Sequence, residues 1–288
     1  MDWLKRVEDA LEFMESKMNE PLDIDAIAKV AFSSPFHFQR MFHMLTGMTV
    51  GEYVRKRKLT LAAQELAVSS SRVIDIALKY GYHSPESFSK IFRKLHGISP
   101  SEARRSGVSL KAFPRLSFQF QIQGEREVDY LIEEKESFSV IGKSATLTCG
   151  KEGYTREWFW GECQQDGTLE KFSSLETNKP ILGITLDFEE NFTYMIGKKV
   201  EKEVPMGELT QLYIPSSTWA VFPCNGSIPA AIQNGFRQIY QEWFPATEYE
   251  HAGLPEIEVY IADPLESEGY RSEVWIPVKS HTQERNNG

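Results

Sequence analysis

Residues Ile24 to Ser99 carry one pattern written twice, fifty residues apart and without a gap. Ile24-Asp25, Lys29, Ser34-Pro35, Phe38, Phe42, Leu45 and Gly47 return as Ile74-Asp75, Lys79, Ser84-Pro85, Phe88, Phe92, Leu95 and Gly97. A repeat of that period means two copies of one small supersecondary unit. Each copy can be built from its residues. Ile24 to Val30 and Ile74 to Tyr80 are apolar-periodic segments of about two helical turns, and each ends at a small residue, Ala31 or Gly81, followed by an aromatic. Ser-Pro then supplies an N-cap hydroxyl and a proline at the first helical position, where its missing N–H costs nothing. From there Phe38, Phe42 and Leu45, matched by Phe88, Phe92 and Leu95, fall at i, i+4, i+7 and bury one stripe of a second helix. Gly47 and Gly97 stop it.

The opposite face of the second helix carries Phe36, Gln39, Arg40 and His43 in the first copy and Glu86, Ser89, Lys90 and Arg93 in the second. For one isolated amphipathic helix, the simpler reading is a core helix with a solvated face. Two copies in register favour a tandem helix-turn-helix reader, because Gln and Arg make paired hydrogen bonds to adenine and guanine edges in the major groove. Charge points the same way. Residues 26–108 hold 13 Lys or Arg against 5 Asp or Glu, although the whole chain has a net charge of −9.

Residues Trp3 to Arg105 resemble the DNA-binding domain of the AraC/XylS regulators, most distinctively in the block Val73-Ile-Asp-Ile-Ala-Leu-Lys-Tyr-Gly-Tyr-His-Ser-Pro-Glu-Ser-Phe-Ser-Lys-Ile-Phe-Arg-Lys. The resemblance implies seven helices in two helix-turn-helix subdomains joined by a long helix, here Val50 to Val68. It implies base contacts from Phe36, Gln39 and Arg40 in the first head and from Ser89 and Lys90 in the second. Arg55, Arg57, Lys58, Arg93 and Lys94 are placed for phosphate, contacts that carry affinity and salt dependence rather than sequence choice. Two heads about one DNA turn apart, roughly 34 Å, would read one face of the duplex.

After Arg105 the pattern changes. Residues 109–288 hold 16 Lys or Arg against 28 Asp or Glu, a balance that phosphate repels. Leu116-Ser-Phe-Gln-Phe-Gln-Ile-Gln123 alternates with period two and predicts a strand inside a linker over 109–126. Beyond it a β-α-β-β unit is read twice. The first has strands at Phe138–Thr148, Ile181–Phe188 and Phe192–Val200 with a helix at Gly153–Gln165; the second has strands at Thr210–Pro223, Ile257–Ala262 and Glu273–Val278 with a helix at Pro229–Trp243. The predicted fold class is therefore α plus α+β: a helical tandem helix-turn-helix domain over 1–108 and a duplicated β-α-β-β antiparallel-sheet domain over 127–288.

Gly183-Ile-Thr-Leu-Asp, Leu212-Tyr-Ile-Pro-Ser-Ser-Thr-Trp-Ala-Val-Phe, Ile257-Glu-Val-Tyr and Glu273-Val-Trp-Ile-Pro-Val resemble the GyrI-like effector-binding domain over about Val128 to Lys279. That resemblance implies a pocket for a small, often cationic and hydrophobic molecule, lined by aromatics around a carboxylate. The chain offers Trp158, Trp160, Tyr194, Trp219, Tyr260 and Trp275, with Glu258 and Glu273. Glu258, in its Glu-x-Tyr element, is the preferred counter-charge, with Trp219, Tyr260 and Trp160 beside it. The plainer alternatives are a glutamate on the wet face of a strand and aromatics that only fill the core.

The three cysteines, Cys149, Cys163 and Cys224, lie far apart without metal-ligand spacing and read as reduced thiols. No histidine sits in a ligand motif, so neither metal nor cofactor is expected. No run of about 18 apolar residues is present, and the charged N-terminus reads as an amphipathic helix rather than a signal peptide. The expectation is a cytoplasmic, non-enzymatic regulator whose partners are promoter DNA, a small effector and RNA polymerase, with no membrane. Two alternatives stay open: a sheet domain serving only structure or protein interaction, and a GyrI-like hydrolase fused to a DNA binder.

Overall fold

A computed structural model describes residues 3–117, 127–148, 155–175, 179–188, 191–201, 207, 209–261 and 271–280. The chain forms two compact units, one made of 1–35 and 50–122, the other of 36–49 and 123–288.

In the first unit, α1 (Trp3–Ser16) packs on α2 (Ile24–Val30), whose N-cap Asp23 accepts a 2.9 Å hydrogen bond from the Ala26 amide. Helix α4 (Val50–Val68) has the bounds that the resemblance to AraC/XylS regulators implies. On it pack α5 (Val73–Lys79) and α6 (Pro85–His96), burying Leu59, Ala62, Ala63 and Leu66 against Ile76, Ala77, Phe88 and Phe92. The repeated phenylalanines are thus core residues. Ser84 caps α6 by accepting from the Ser87 amide, and Gly97 ends it with φ +81°, a left-handed conformation glycine takes without strain. The two turns are not identical. Gly81 takes positive φ in the second copy, whereas the first has alanine at the matching position and the left-handed residue is the next one, Phe32, with φ +53°.

In the second unit, α3 (Pro35–Thr46) supplies residues from 36 onward, and the sheet domain supplies the rest. Its strands are β1 (Leu131–Lys135), β2 (Phe138–Thr148), β3 (Ile181–Thr185), β4 (Asn191–Val200), β5 (Thr210–Ile214), β6 (Ser217–Asn225), β7 (Tyr249–His251), β8 (Glu256–Tyr260) and β9 (Arg271–Ser280). They pair antiparallel in the order β1-β6-β9-β8-β3-β4-β2-β5, with β7 also on β9. Helices α7 (Arg156–Gln165), α8 (Thr168–Leu175) and α9 (Ala230–Gln238) follow β2 and β6, and α9 runs on into a π-helical turn over Ile239–Trp243.

The order is symmetric about the β3–β8 pair: β3-β4-β2 on one side, β8-β9-β6 on the other. The predicted duplication is present, with one feature the sequence hides. Residues 210–223, read there as one strand, break at Pro215, which cannot donate to a ladder. The short strand before the break, β5, pairs with β2 of the other half, and β1 reciprocally pairs with β6. Each half therefore lends the other an edge. Helix α8 is a further element with no counterpart in the prediction. The predicted linker strand finds no support over 114–117, and its remaining residues, 118–123, lie outside those described. Cys149 does too, while Cys163 and Cys224 are buried free thiols whose pKa values burial pushes up to about 11 and about 12.

If Ser84 caps α6 as its geometry indicates, Ser84→Ala lowers the unfolding free energy by about 1 kcal/mol, and Ser84→Gly by only a few tenths. Urea titration of the full chain measures both; equal losses would contradict the capping role.

Candidate DNA-reading faces and ligand cavity

The second head presents its expected residues outward. Lys90, Arg93 and Lys94 on α6 are exposed, and Ser89 is half-buried beside them. The linker helix differs from expectation. Arg57 grips both oxygens of Glu15 at 2.8 Å and donates to the Phe113 carbonyl at 2.7 Å, and Lys58 is buried with its ammonium on the Glu20 carbonyl at 2.7 Å. Burial opposes the Glu15 charge, but hydrogen bonds from Arg57 and Tyr53 outweigh it and hold that carboxyl below its ordinary pKa. These two basic side chains brace the helix rather than face phosphate. Arg55, one turn away, is half-buried.

The first head departs further. His37 through Phe42 are all buried, Arg40 to 1% exposure. Arg40 Nε donates to Glu256 Oε2 at 2.7 Å, and its guanidinium lies over the rings of Phe236 and Phe188, 4.4 and 5.1 Å from their centroids. His37 stacks on His251 at 4.5 Å, and Phe36 packs against the aromatic cluster around Phe159 and Phe192. Gln39 is 8% exposed. The three base-reading candidates of this helix are thus turned into protein, where a guanidinium cannot also meet a guanine edge.

What receives Arg40 is strand β8. In Glu256-Ile-Glu-Val-Tyr260 the period-two alternation sends Ile257 and Val259 into an apolar cluster with Val140, Ile184, Trp219 and Val221. Glu256, Glu258 and Tyr260 go to the other face. Both carboxylates are buried, and each is compensated. Glu256 accepts from Arg40 and from the Tyr240 hydroxyl. Glu258 Oε2 accepts from Tyr194 at 2.6 Å and Tyr260 at 2.7 Å. Its Oε1 has no hydrogen-bond partner, with Arg156 Nε 3.6 Å away. Burial, followed by the Glu258 charge, raises the pKa of both tyrosines well above the ordinary value, so they remain donors.

Gly183 explains how this group fits. It lies opposite Glu258 in the β3–β8 register, and a Cβ there would stand 2.0 Å from the Tyr194 hydroxyl and 2.9 Å from Glu258 Oε2. Only a residue without a side chain lets that hydroxyl reach the carboxylate.

A cavity of about 660 Å³ opens beside Glu258. Trp160 and Arg156 of α7, Phe236 of α9, Tyr260, and Arg40, His43 and Met44 of α3 line it. Trp160 and Tyr260 meet edge to face at 4.8 Å. Of the five sequence-predicted ligand residues, Glu258, Tyr260 and Trp160 converge here and two do not. Register places Trp219 and Glu273 on the opposite face, where Trp219 packs near Trp275 and Glu273 accepts the Trp275 indole N–H at 2.7 Å. The sequence reading missed Glu256 and Arg156. Glu256 had a usable signal, since it lies two residues before Glu258 on one strand and must share its face; Arg156, from a helix, had none.

Among the described residues no group of three or more His, Cys, Asp or Glu could hold a metal ion, and no helix is long and apolar enough to cross a membrane.

Comparison with known proteins fits both halves. Residues 129–279 match the family described as the GyrI-like small molecule binding domain, and residues 27–106 match a helix-turn-helix domain. The HTH-type transcriptional activator AarP of Providencia stuartii is 41% identical over 100 residues, 35% of this chain and 74% of that protein. The regulatory protein SoxS of Escherichia coli K12 is 38% identical over 81 residues, 28% of this chain and 76% of its own length. Among solved structures, SAV2435 bound to tetraphenylphosphonium aligns with 56% of this chain and 99% of its own, at 21% identity and a TM-score of 0.48.

Two predictions follow from the site's geometry. Gly183→Ala costs about 1–3 kcal/mol through overpacking, and less when Tyr194→Phe removes the hydroxyl it strikes. A double-mutant cycle with equal costs in both backgrounds would contradict the arrangement. The second concerns the histidines. Burial, then Arg40, lowers the His251 pKa from 6.5 to about 3, and burial, then His251, holds His37 well below 6.5. The unfolded chain protonates both near pH 6.5 and the folded chain does not. Their contribution to stability is therefore complete above that pH and lost below it, at up to about 1.4 kcal/mol per pH unit for each ring. Between pH 6.5 and 5, His251→Gln should flatten the fall in stability; an unchanged slope would refute the assignment.

Proposed function

The chain belongs to the AraC-type helix-turn-helix regulators and to the GyrI-like small-molecule-binding family, and from that premise we propose that its sheet domain senses a small hydrophobic or cationic molecule in the Glu258 cavity and adjusts DNA binding accordingly. The observation that carries the reading is the buried Glu258, one oxygen of which has no hydrogen bond and only a 3.6 Å ion pair with Arg156, facing a cavity walled by Trp160 and Tyr260. A desolvated carboxylate oxygen without a donor costs free energy that a bound group can recover.

The arrangement also limits what a cation must do. Arg156 already lies over Phe192 and Tyr194, 5.0 and 5.1 Å from their centroids, beside Glu258 and tied to Thr185 Oγ1 at 3.1 Å. A hydrophobic cation that pairs with Glu258 takes over this resident guanidinium's position, and rings that hold one cation can hold the other. A neutral hydrophobic ligand would instead fill the aromatic wall and leave the Arg156–Glu258 pair in place.

On the DNA side, the outward placement of Lys90, Arg93 and Lys94 on α6, with Ser89 beside them, supports base contact by Ser89 and Lys90 and phosphate contact by Arg93 and Lys94. Phe36, Gln39 and Arg40 retain a base-reading role only with α3 away from the sheet domain.

Thermal unfolding of the full chain with tetraphenylphosphonium or neutral triphenylphosphine oxide, for wild type and Glu258→Gln, tests the ligand reading. At a hundredfold excess over the dissociation constant a bound cation adds about 2.7 kcal/mol. The expected result is stabilisation by the cation that Glu258→Gln abolishes. Stabilisation by the neutral compound alone would leave a hydrophobic sensor without charge selection, and stabilisation by neither would contradict the sensor reading for these probe classes.

A further inference from the structure

One side chain serves both halves of this reading. Arg40 is the residue to which the AraC/XylS resemblance gives base reading by the first head, and it also forms part of the cavity wall in the second unit. It does not come to the cavity alone. His37 stacks on His251, the His43 ring lies 5.3 Å from that of Phe188, and Gln241 donates to the Met44 carbonyl at 3.4 Å. α3 is therefore docked through Arg40, His37, His43 and Met44.

The docked state is incomplete as a structural ion pair. Arg40 is buried to 1%, yet its Nη2 has no hydrogen-bond partner, so the site satisfies Nε and leaves part of the guanidinium's donor set unused. A guanidinium held by a carboxylate and sandwiched between two phenyl rings cannot present its donor fork to a guanine. Arg40 is thus available to the sheet domain or to DNA, one at a time.

Building on the ligand-cavity and base-reading roles above, we propose that Arg40 is a ligand-site residue and a DNA-specificity residue in competition, so that DNA reading by the first head requires release of α3 from Glu256. Arg40, His43 and Met44 wall the cavity only when α3 is docked. A cavity occupant that touches them binds the docked state better, and any ligand shifts a two-state equilibrium by the difference in its affinities. Such an occupant weakens DNA binding by the first head, and DNA weakens the occupant by the same factor.

The test needs no ligand. A DNA fragment is enriched from random sequence with the full chain, and its dissociation constant is measured by fluorescence anisotropy for wild type, Arg40→Ala, Glu256→Gln and Phe236→Leu. Glu256→Gln removes the charge that holds Arg40, and Phe236→Leu removes one ring of the sandwich without touching the carboxylate. Each should bind the fragment at least fivefold more tightly, in the usual range for coupled sites, while Arg40→Ala binds at least fivefold more weakly. Adding Arg40→Ala to Glu256→Gln should erase the gain.

If Arg40→Ala weakens binding and neither releasing variant strengthens it, Arg40 reads DNA without competition and the proposal is overturned. If Arg40→Ala leaves affinity and base preference unchanged, the base-reading role itself fails. Circular dichroism checks each variant for folding, and should Glu256→Gln unfold the domain, Phe236→Leu decides alone.

Discussion

Two carboxylates buried side by side on one strand organise the second unit. Glu256 and Glu258 share a face of β8, near the centre of the sheet, where an uncompensated charge would cost several kcal/mol. Compensation comes from four side chains: Arg40 of α3, Tyr240 of the π-helical turn, Tyr194 of β4 and Tyr260 of β8 itself, with Arg156 of α7 close by. The helices and strands that carry these groups are therefore tied to β8 by polar contacts as well as by apolar packing. Removing one partner leaves a buried charge, so each is costly to change although none adds much net stability by comparison with an apolar pair.

The fold's symmetry gives that strand its position. β3 and β8 meet at the pseudo-twofold, and the exchange of β1 and β5 between halves closes the outer ladders. Gly183 stands where the two halves touch and clears the space for Tyr194. A cavity at such a junction draws its walls from both halves and can change shape when either shifts. The location of the candidate ligand site is a product of the duplication.

Much of this was legible in the residues. The Ser84 cap and the glycine stop at Gly97 follow from local rules that act within one turn of helix, the phenylalanine stripes follow from period alone, and the bounds of α4 follow from the resemblance to AraC/XylS regulators. The sheet domain was legible as strands but not as pairings. Nothing local says that residues 210–214 pair with β2 rather than continue into β6, because register is set across the sheet. The same blindness misplaced Trp219 and Glu273: their alternation was right, but which face each strand turns toward the helices is decided by pairing to β8. For Arg40, Arg57 and Lys58 the sequence offered a basic residue on a helix, and only tertiary contact shows whether its partner is a phosphate, a carboxylate or a carbonyl.

The central interaction of the second unit is Arg40 held inside the free protein by Glu256. Its Nε–H, donating over 2.7 Å in a site closed to solvent, should exchange slowly and shift downfield in a nitrogen-15 arginine side-chain spectrum of the full chain without ligand or DNA. The signal is assigned by its loss in Arg40→Lys. A protected resonance that Glu256→Gln removes is the predicted result. If the only Arg40 signal is in fast exchange with water, Arg40 is not held by β8 in the free protein and the account of the second unit is wrong.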